Sequence, residues 1–390
     1  MTTITLPTPD GGRIEHALNE PRDWPKPQRP FRSRVAFAAA HVVAHPLADN
    51  TPGTPAALDW DSTLAFRRHL WSHGLGVAEA MDTAQRGMGM DWPATRELIR
   101  RSAAEAASAG TRIAAGAGTD QLDGPATTLD EVVAAYEEQI GTIQDAGAQV
   151  IIMASRHLAA LARSVDDYRA VYDRVLAQVD SPVILHWLGP AFDPALQGYW
   201  GSDDVDVATG HVVDLVRDHA SMIDGVKVSL LDADHEKAFR AQLPAGVRLY
   251  TGDDFNYPEL IRGDGAHHSD ALLGVFAAIA PAASAALQAL DDGDDNAYDA
   301  AFAPTLPLAR HIFGAPTYYY KTGVAFLSWL SGFQAGFTMV GGLQSARSLP
   351  HLVEAFRLAD AARLFPDPEL AAARMTALLE TYGTPPPPSR

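Results

Sequence analysis

Four lysines occur in the 390 residues, Lys26, Lys227, Lys237 and Lys321, in a chain whose other permanent cations are arginines. One of the four stands where amine chemistry is feasible. Lys227 lies in the run Met222-Ile-Asp-Gly-Val-Lys-Val-Ser229, late in an apolar stretch that reads as a β-strand. An amine at the end of a buried strand is partly desolvated, which lowers its pKa and frees the lone pair that attacks a carbonyl carbon. At the ordinary pKa of about 10.4, only on the order of one lysine in a few thousand is neutral at pH 7. Imine chemistry therefore needs such surroundings. The competing reading is a strand-end lysine that pairs with an aspartate.

Histidines offer a second chemistry. His41 and His45 fall near the end of the first predicted strand, and His267-His268 precede the last one. With Glu79 or Asp82, the set His41, His45 and His268 could make a nitrogen and oxygen site of the kind zinc or manganese accepts. The spacing argues against it, because residues four apart on a strand are about 13 Å apart. No His-Glu-x-x-His pattern occurs, and no Gly-x-Ser-x-Gly elbow. Ala114-Ala-Gly-Ala-Gly118 is most simply a strand end, since Gly-x-Gly alone is weak evidence for a nucleotide. Cysteine is absent, which removes disulfides, thiolate metal sites and a cysteine nucleophile. Metal is therefore not expected.

The elements that must position these groups follow from the hydrophobic pattern. Short apolar runs at 35–43, 75–80, 112–115, 150–154, 183–187, 223–228, 247–251 and 271–276 read as strands. Amphipathic stretches at 62–73, 93–109, 129–146, 165–179, 205–220, 234–243 and 257–262 alternate with them and read as helices. Continuous apolar strands separated by helices indicate a parallel sheet covered on its outer side, and eight such units favour a closed (β/α)₈ barrel. The expected organisation is an irregular N-terminal arm over 1–33, a barrel over 34–278 and a helical extension over 279–390. Within that extension helices are expected near 280–310, 318–333, 351–362 and 368–382, before a polyproline tail.

Bulk composition narrows the partners. Hydrophobic residues make up 47% and charged residues 20%, enough to fill a sizeable core. A net charge of -18 disfavours nucleic acid and anionic membrane surfaces. No apolar stretch of about twenty residues suggests a membrane span, and the N-terminus lacks the pattern of a secretory signal. A cytoplasmic enzyme acting on a small molecule is the expectation.

From about residue 34 to 335 the chain resembles the dihydrodipicolinate synthase and N-acetylneuraminate lyase superfamily of class I aldolases. Four segments carry the resemblance. Gly225-Val-Lys227 matches the strand-six Gly-Ile/Val-Lys, and Tyr250-Thr-Gly-Asp-Asp254 matches the Ser/Thr-Gly-Asp-Asp that follows. Ser181-Pro-Val-Ile-Leu185 matches the strand-five Pro-Val-Ile-Leu, and the segment from Ser269 through Gly274 to Pro281 follows the strand-eight pattern. The order and spacing of the four are specific together. The resemblance implies a barrel, a Schiff base on Lys227, no other cofactor and a homo-oligomer, commonly a dimer or tetramer.

The departures bear on substrate. Where the family has a proton-relaying tyrosine, this chain has His186, followed by Trp187. Histidine can do acid–base work near neutral pH, or it can simply pack. The strand-two Gly-Thr-Thr-Gly-Glu becomes Asp82-Thr-Ala-Gln-Arg86, which places an aspartate where a keto-acid carboxylate would bind. Asp82 and Thr83 then suit substrate hydroxyls, unless Asp82 merely caps the next segment. Arg86 could offset the aspartate if it turned inward. The family's paired tyrosines align with Ser155, Arg156 and His157. The expected site is Lys227 with His186 as the catalytic pair, and Asp82, Thr83, Arg156, Asp253 and Gly274 around the substrate. The expected reaction is carbon–carbon cleavage or formation on a keto sugar or sugar-derived keto acid. The alternatives are a Schiff-base dehydratase, a metal-dependent sugar isomerase or epimerase, and a non-catalytic sugar-binding barrel.

Overall fold

The computed structural model describes residues 2–122 and 124–384. The expected polyproline tail falls outside the described residues. All eight expected barrel strands form, and they close into one parallel barrel. After a hairpin of β1 (Thr3–Pro7) and β2 (Arg13–Ala17), these are β3 (Ala36–Ala39), β4 (Gly76–Glu79), β5 (Ile113–Ala117) and β6 (Gln149–Met153). The circuit continues with β7 (Val183–Leu188), β8 (Ile223–Ser229), β9 (Arg248–Thr251) and β10 (Asp270–Leu273), which pairs back onto β3. The molecule is thus a (β/α)₈ barrel with a C-terminal helical region. Every residue of β3, β4 and β10 is buried, as strands covered on both faces must be.

The barrel interior mixes bulk and small side chains so that they interlock. Phe37, Ile151, Ile184, Tyr250 and Leu272 are packed with Ala39, Ala78 and Ala114 in one buried cluster. Gly76 sits under the Phe37 ring, where an added Cβ would lie 2.6 Å from a ring carbon. Helices between the strands are α1 (Trp60–Ser72), α2 (Trp92–Ala109), α3 (Leu129–Asp145), α4 (Arg156–Leu161) and α5 (Val165–Leu176). They continue with α6 (Val205–Asp218), α7 (Ala233–Arg240) and α8 (Tyr257–Arg262). Side-chain caps start several of them: Asp91 ahead of Pro93 on α2, Asp204 on α6, Asp232 on α7, and a Thr128–Glu131 capping box on α3.

By compactness the chain divides into two units. One holds Arg34–Ala40 with Leu75–Gly274, and therefore the whole barrel sheet. The other holds the segment up to Ser33, His41–Gly74 and the chain from Val275 onward. That second unit contains α9 (Phe276–Asp292), α10 (Asp295–Phe302), α11 (Leu306–Ile312), α12 (Tyr320–Leu330), α13 (Leu349–Ala361) and α14 (Pro368–Thr381). The single stretch expected over 280–310 is broken twice, by the left-handed Gly293 and around Pro304 and Pro307. One part of the N-terminal arm also differs from expectation. It is irregular beyond Leu18, but it begins as an antiparallel hairpin in which Thr3 pairs with Ala17.

Candidate active site

Lys227 faces the barrel axis. In a parallel sheet, register partners share a face, and His186, Lys227 and Tyr250 are consecutive partners across β7, β8 and β9. Tyr250 belongs to the interior cluster, so the lysine and the histidine point inward with it. Both lie toward the C-terminal ends of their strands, the end at which barrels of this type carry chemistry. Lys227 is buried, and burial pulls its ammonium pKa below the ordinary lysine value. The carboxylates of Asp82 and Asp254 oppose that pull without cancelling it. Burial alone does not single this lysine out, since Lys321 on α12 is equally enclosed. Its neighbours do.

Three groups converge on the lysine's end. Ser229, two residues on and on the same face, receives the His186 ring: Nε2 lies 3.2 Å from Ser229 Oγ. Gly252 closes the far side, where an added Cβ would stand 2.2 Å from Ser229 Oγ and 2.9 Å from Lys227 Cε. Only glycine fits between them. His186 is buried, and burial together with the Lys227 charge holds its pKa well below the usual histidine value. The ring is therefore neutral at physiological pH, with one donor and one acceptor nitrogen. Among the described residues its Nδ1 has no hydrogen-bond partner. A neutral imidazole bonded to a hydroxyl beside a depressed amine can take up a proton and return it.

Asp82 and Thr83 form a single 3-10 turn directly after β4, Thr83 buried and Asp82 half-buried. That turn puts the Asp82 carboxylate within electrostatic reach of Lys227. Arg86 does not turn toward the lysine. Its guanidinium holds Asp120, the Gln139 side chain and the carbonyls of Ala80 and Gly116, the last two at 3.1 and 3.0 Å. Arg156 opens α4 and ion-pairs with Asp193. Beside it, Ser155 Oγ lies 2.6 Å from Thr119 Oγ1, which is 2.8 Å from His157 Nδ1. Asp253 serves its own turn: Oδ1 accepts the amides of Phe255 and Asn256 at 2.8 and 3.1 Å, and Oδ2 accepts Asn256 Nδ2 at 3.0 Å. Gly274 is the residue after β10, buried and one short of the α9 cap.

The structure therefore gathers Lys227, His186 and Asp82, while Asp253 and Arg156 are engaged elsewhere. Two members of the cluster escaped the sequence reading. Asp254 rather than Asp253 is the acid of the pair whose charge reaches the lysine, and nothing in adjacent aspartates tells them apart. Ser229 could have been found, since it lies two residues past Lys227 and must share its face.

The metal-ligand set is not assembled. His41 is buried with Nε2 2.9 Å from Gln334 Oε1, and burial lowers its pKa to about 4. His45 is exposed and accepts the Leu47 amide at 3.2 Å. His268 precedes β10, so it sits at the N-terminal end of that strand, the opposite end from the Lys227 cluster. Among the described residues no group of three or more histidine, aspartate or glutamate side chains could hold a metal ion. No described helix is long and apolar enough to cross a membrane.

A family model described as a protein of unknown function, DUF993, matches residues 4–384. No curated protein sequence matches the chain. Solved structures do resemble it. YagE from E. coli K12, a prophage protein of the dihydrodipicolinic acid synthase family solved in complex with pyruvate, superposes with a TM-score of 0.65 at 16% identity, over 85% of this chain and 99% of that one. Dihydrodipicolinate synthase from Aquifex aeolicus gives 0.60 at 12% identity, over 90% and 99% of the two chains. The chloride-inhibited enzyme from Acinetobacter baumannii, complexed with pyruvate, gives 0.62 at 14%, over 85% and 100%. Identities this low establish a shared fold, which the four sequence motifs implied.

Proposed function

We propose, from the premise that the chain belongs to the DUF993 family and carries the dihydrodipicolinate synthase fold, that it is a class I lyase of the aldolase type working through an imine on Lys227. The observation that carries this reading is the cluster at the lysine: a buried amine with a lowered pKa, a neutral His186–Ser229 pair and a glycine against its last methylene. The neutral Nζ adds to a substrate ketone, and the carbonyl oxygen takes a proton to give a carbinolamine. That hydroxyl is protonated and leaves as water, forming the iminium. The hydroxyl on the carbon β to the iminium carbon gives up its proton, and the bond between the α and β carbons breaks with its electron pair moving toward the iminium nitrogen. The β fragment leaves as a carbonyl compound, and an enamine remains. Protonation of the enamine carbon and addition of water release the product and restore the amine. His186 exchanges the protons with Ser229 as its hydroxyl partner.

The substrate class follows from the charges near the amine. Asp82 and Asp254 are carboxylates, and Arg86 is occupied by Asp120 and Gln139. Carboxylates accept hydroxyl hydrogens and repel a nearby substrate carboxylate. A small hydroxylated ketone, a keto sugar or a sugar-derived keto acid with its acid group remote from the ketone, fits best. The active species is proposed to be a homo-oligomer.

Sodium borohydride trapping tests the reading. With a panel of dihydroxyacetone, pyruvate, ketoses and 2-keto-3-deoxy sugar acids, at least one member adds its reduced mass to Lys227 in the peptide map. Absence of any adduct across the panel, with turnover surviving in Lys227→Ala, overturns it. Product analysis then separates cleavage from dehydration, which share the same enamine.

A further inference from the structure

Behind the barrel wall lies a carboxyl group that the proposed chemistry does not use. Glu236 projects from α7 and is buried. Its Oε2 accepts the Thr251 hydroxyl at 3.0 Å, and its Oε1 accepts the Ser269 hydroxyl at 2.6 Å. Thr251 ends β9, and its Oγ1 also accepts the Asp253 amide at 3.2 Å. One hydroxyl thus joins the buried carboxyl to the turn 252–254. That turn acts on the lysine twice, because Gly252 closes on Lys227 Cε and Asp254 places its charge nearby.

We propose that Glu236 is a positioning residue for Lys227, acting through Thr251 and the turn 252–254, so that its ionisation tunes the reactivity of the amine. This rests on Lys227 being the reactive amine of the proposed function. The geometry supplies the coupling. An ionised carboxylate accepts both hydroxyls, which leaves the Thr251 oxygen lone pair for the Asp253 amide. A protonated carboxyl must donate one hydrogen, and donation to Thr251 makes that oxygen serve the acid proton as well as the amide. The turn is then held less firmly.

The groups facing Glu236 set when the change occurs. Burial raises its pKa, the Ser269 and Thr251 hydroxyls lower it, Asp253 on the turn raises it, and Arg240 on α7 itself lowers it, leaving it at about 8. Arg240 is shared with Asp264 and the Leu260 carbonyl, which limits its help. Ionisation firms the turn, which keeps the Asp254 charge close to the amine, and a negative charge there favours the Lys227 ammonium. Above that pH the amine is therefore less reactive than it would be beside a neutral group.

The test labels Lys227 with glycolaldehyde and cyanoborohydride from pH 6 to 10, read by peptide mass spectrometry, with Lys26 and Lys237 as internal references. Glycolaldehyde is a neutral probe and not a candidate substrate, so labelling is independent of whether any ketone is turned over. The wild-type profile is expected to bend near pH 8. Glu236→Gln, which stays neutral, is expected to lack that bend and to label about threefold to tenfold faster at pH 9, with equal rates at pH 6; that is the effect of half to one unit in the amine's pKa. Thr251→Val is expected to lose the bend, and Thr251→Ser to keep it. Identical profiles in wild type and Glu236→Gln, a bend that survives Thr251→Val, or a Lys227 that does not label would each overturn the proposal. Labelling that behaves as expected while no ketone is trapped would instead sink the Schiff-base function and leave this coupling standing.

Discussion

A buried carboxyl whose immediate partners are neutral hydroxyls makes folding stability depend on pH, and Glu236 is such a group. Its folded pKa of about 8 lies above the ordinary 4.5, chiefly because burial disfavours the charge. The folded chain therefore holds this proton more tightly than the unfolded chain does. Its contribution is complete below pH 4.5 and is lost progressively as pH rises toward 8, at about 1.4 kcal/mol per pH unit for one proton. Glu236→Gln has no such loss. The variant's gain over wild type in urea denaturation is expected to grow from pH 5 to 8 and then level off; a constant difference would show that Glu236 does not titrate inside the fold. At this scale the sequence was informative only where chemistry and parity coincided. Lys227 was legible from its rarity and its strand end, and His186 from its place in a strand-five motif. Asp254 was not, because two adjacent aspartates in a turn differ only in which one the backbone amides consume.

Between neighbouring elements the decisive contacts are made by long polar side chains, which hydrophobic periodicity does not report. Arg86 binds the end of β4 through the Ala80 carbonyl, β5 through Gly116, α3 through Gln139, and Asp120 beyond β5. Burial works to raise the Asp120 pKa, yet the Arg86 charge and hydrogen bonds hold it at about 2. Arg86→Met removes the cation and leaves an acid and two carbonyls without it, at a cost of roughly 3 kcal/mol. The expected signature is a lower denaturation midpoint with Lys227 trapping retained in the folded variant. A loss below roughly 1 kcal/mol would mean that solvent replaces the clamp. The eight strands were readable because parallel barrel strands are apolar on both faces. The hairpin was not, because β2, Arg-Ile-Glu-His-Ala, is almost wholly exposed and shows no apolar alternation. Its turn, Thr8-Pro-Asp-Gly-Gly12, was the signal available, since Asp-Gly between short strands favours a hairpin.

For the molecule as a whole, a barrel can hold imine or metal chemistry on the same scaffold, and the two differ in where the electron pair goes. Four motifs in the right order located the fold at 12 to 16% identity to solved relatives, because strand spacing constrains where each motif can occur. They could not locate the substrate, since residues that would touch it follow the strands in turns such as 82–84, where this chain departs from the family pattern without disturbing the barrel. The histidines illustrate the same limit: a residue before a strand and a residue after one are close in text and at opposite ends of the sheet, as His268 and Gly274 are around β10. If the iminium nitrogen of Lys227 is the electron sink, no divalent ion has a part in cleavage. Exhaustive dialysis against a chelator is then expected to leave both borohydride trapping and turnover within about twofold of the untreated protein, whereas a Lewis-acid enzyme loses the several kcal/mol its metal supplies. Turnover that collapses on chelation and returns with manganese or zinc, while trapping at Lys227 is absent, would transfer the chemistry from the amine to a metal centre and reject the lyase assignment.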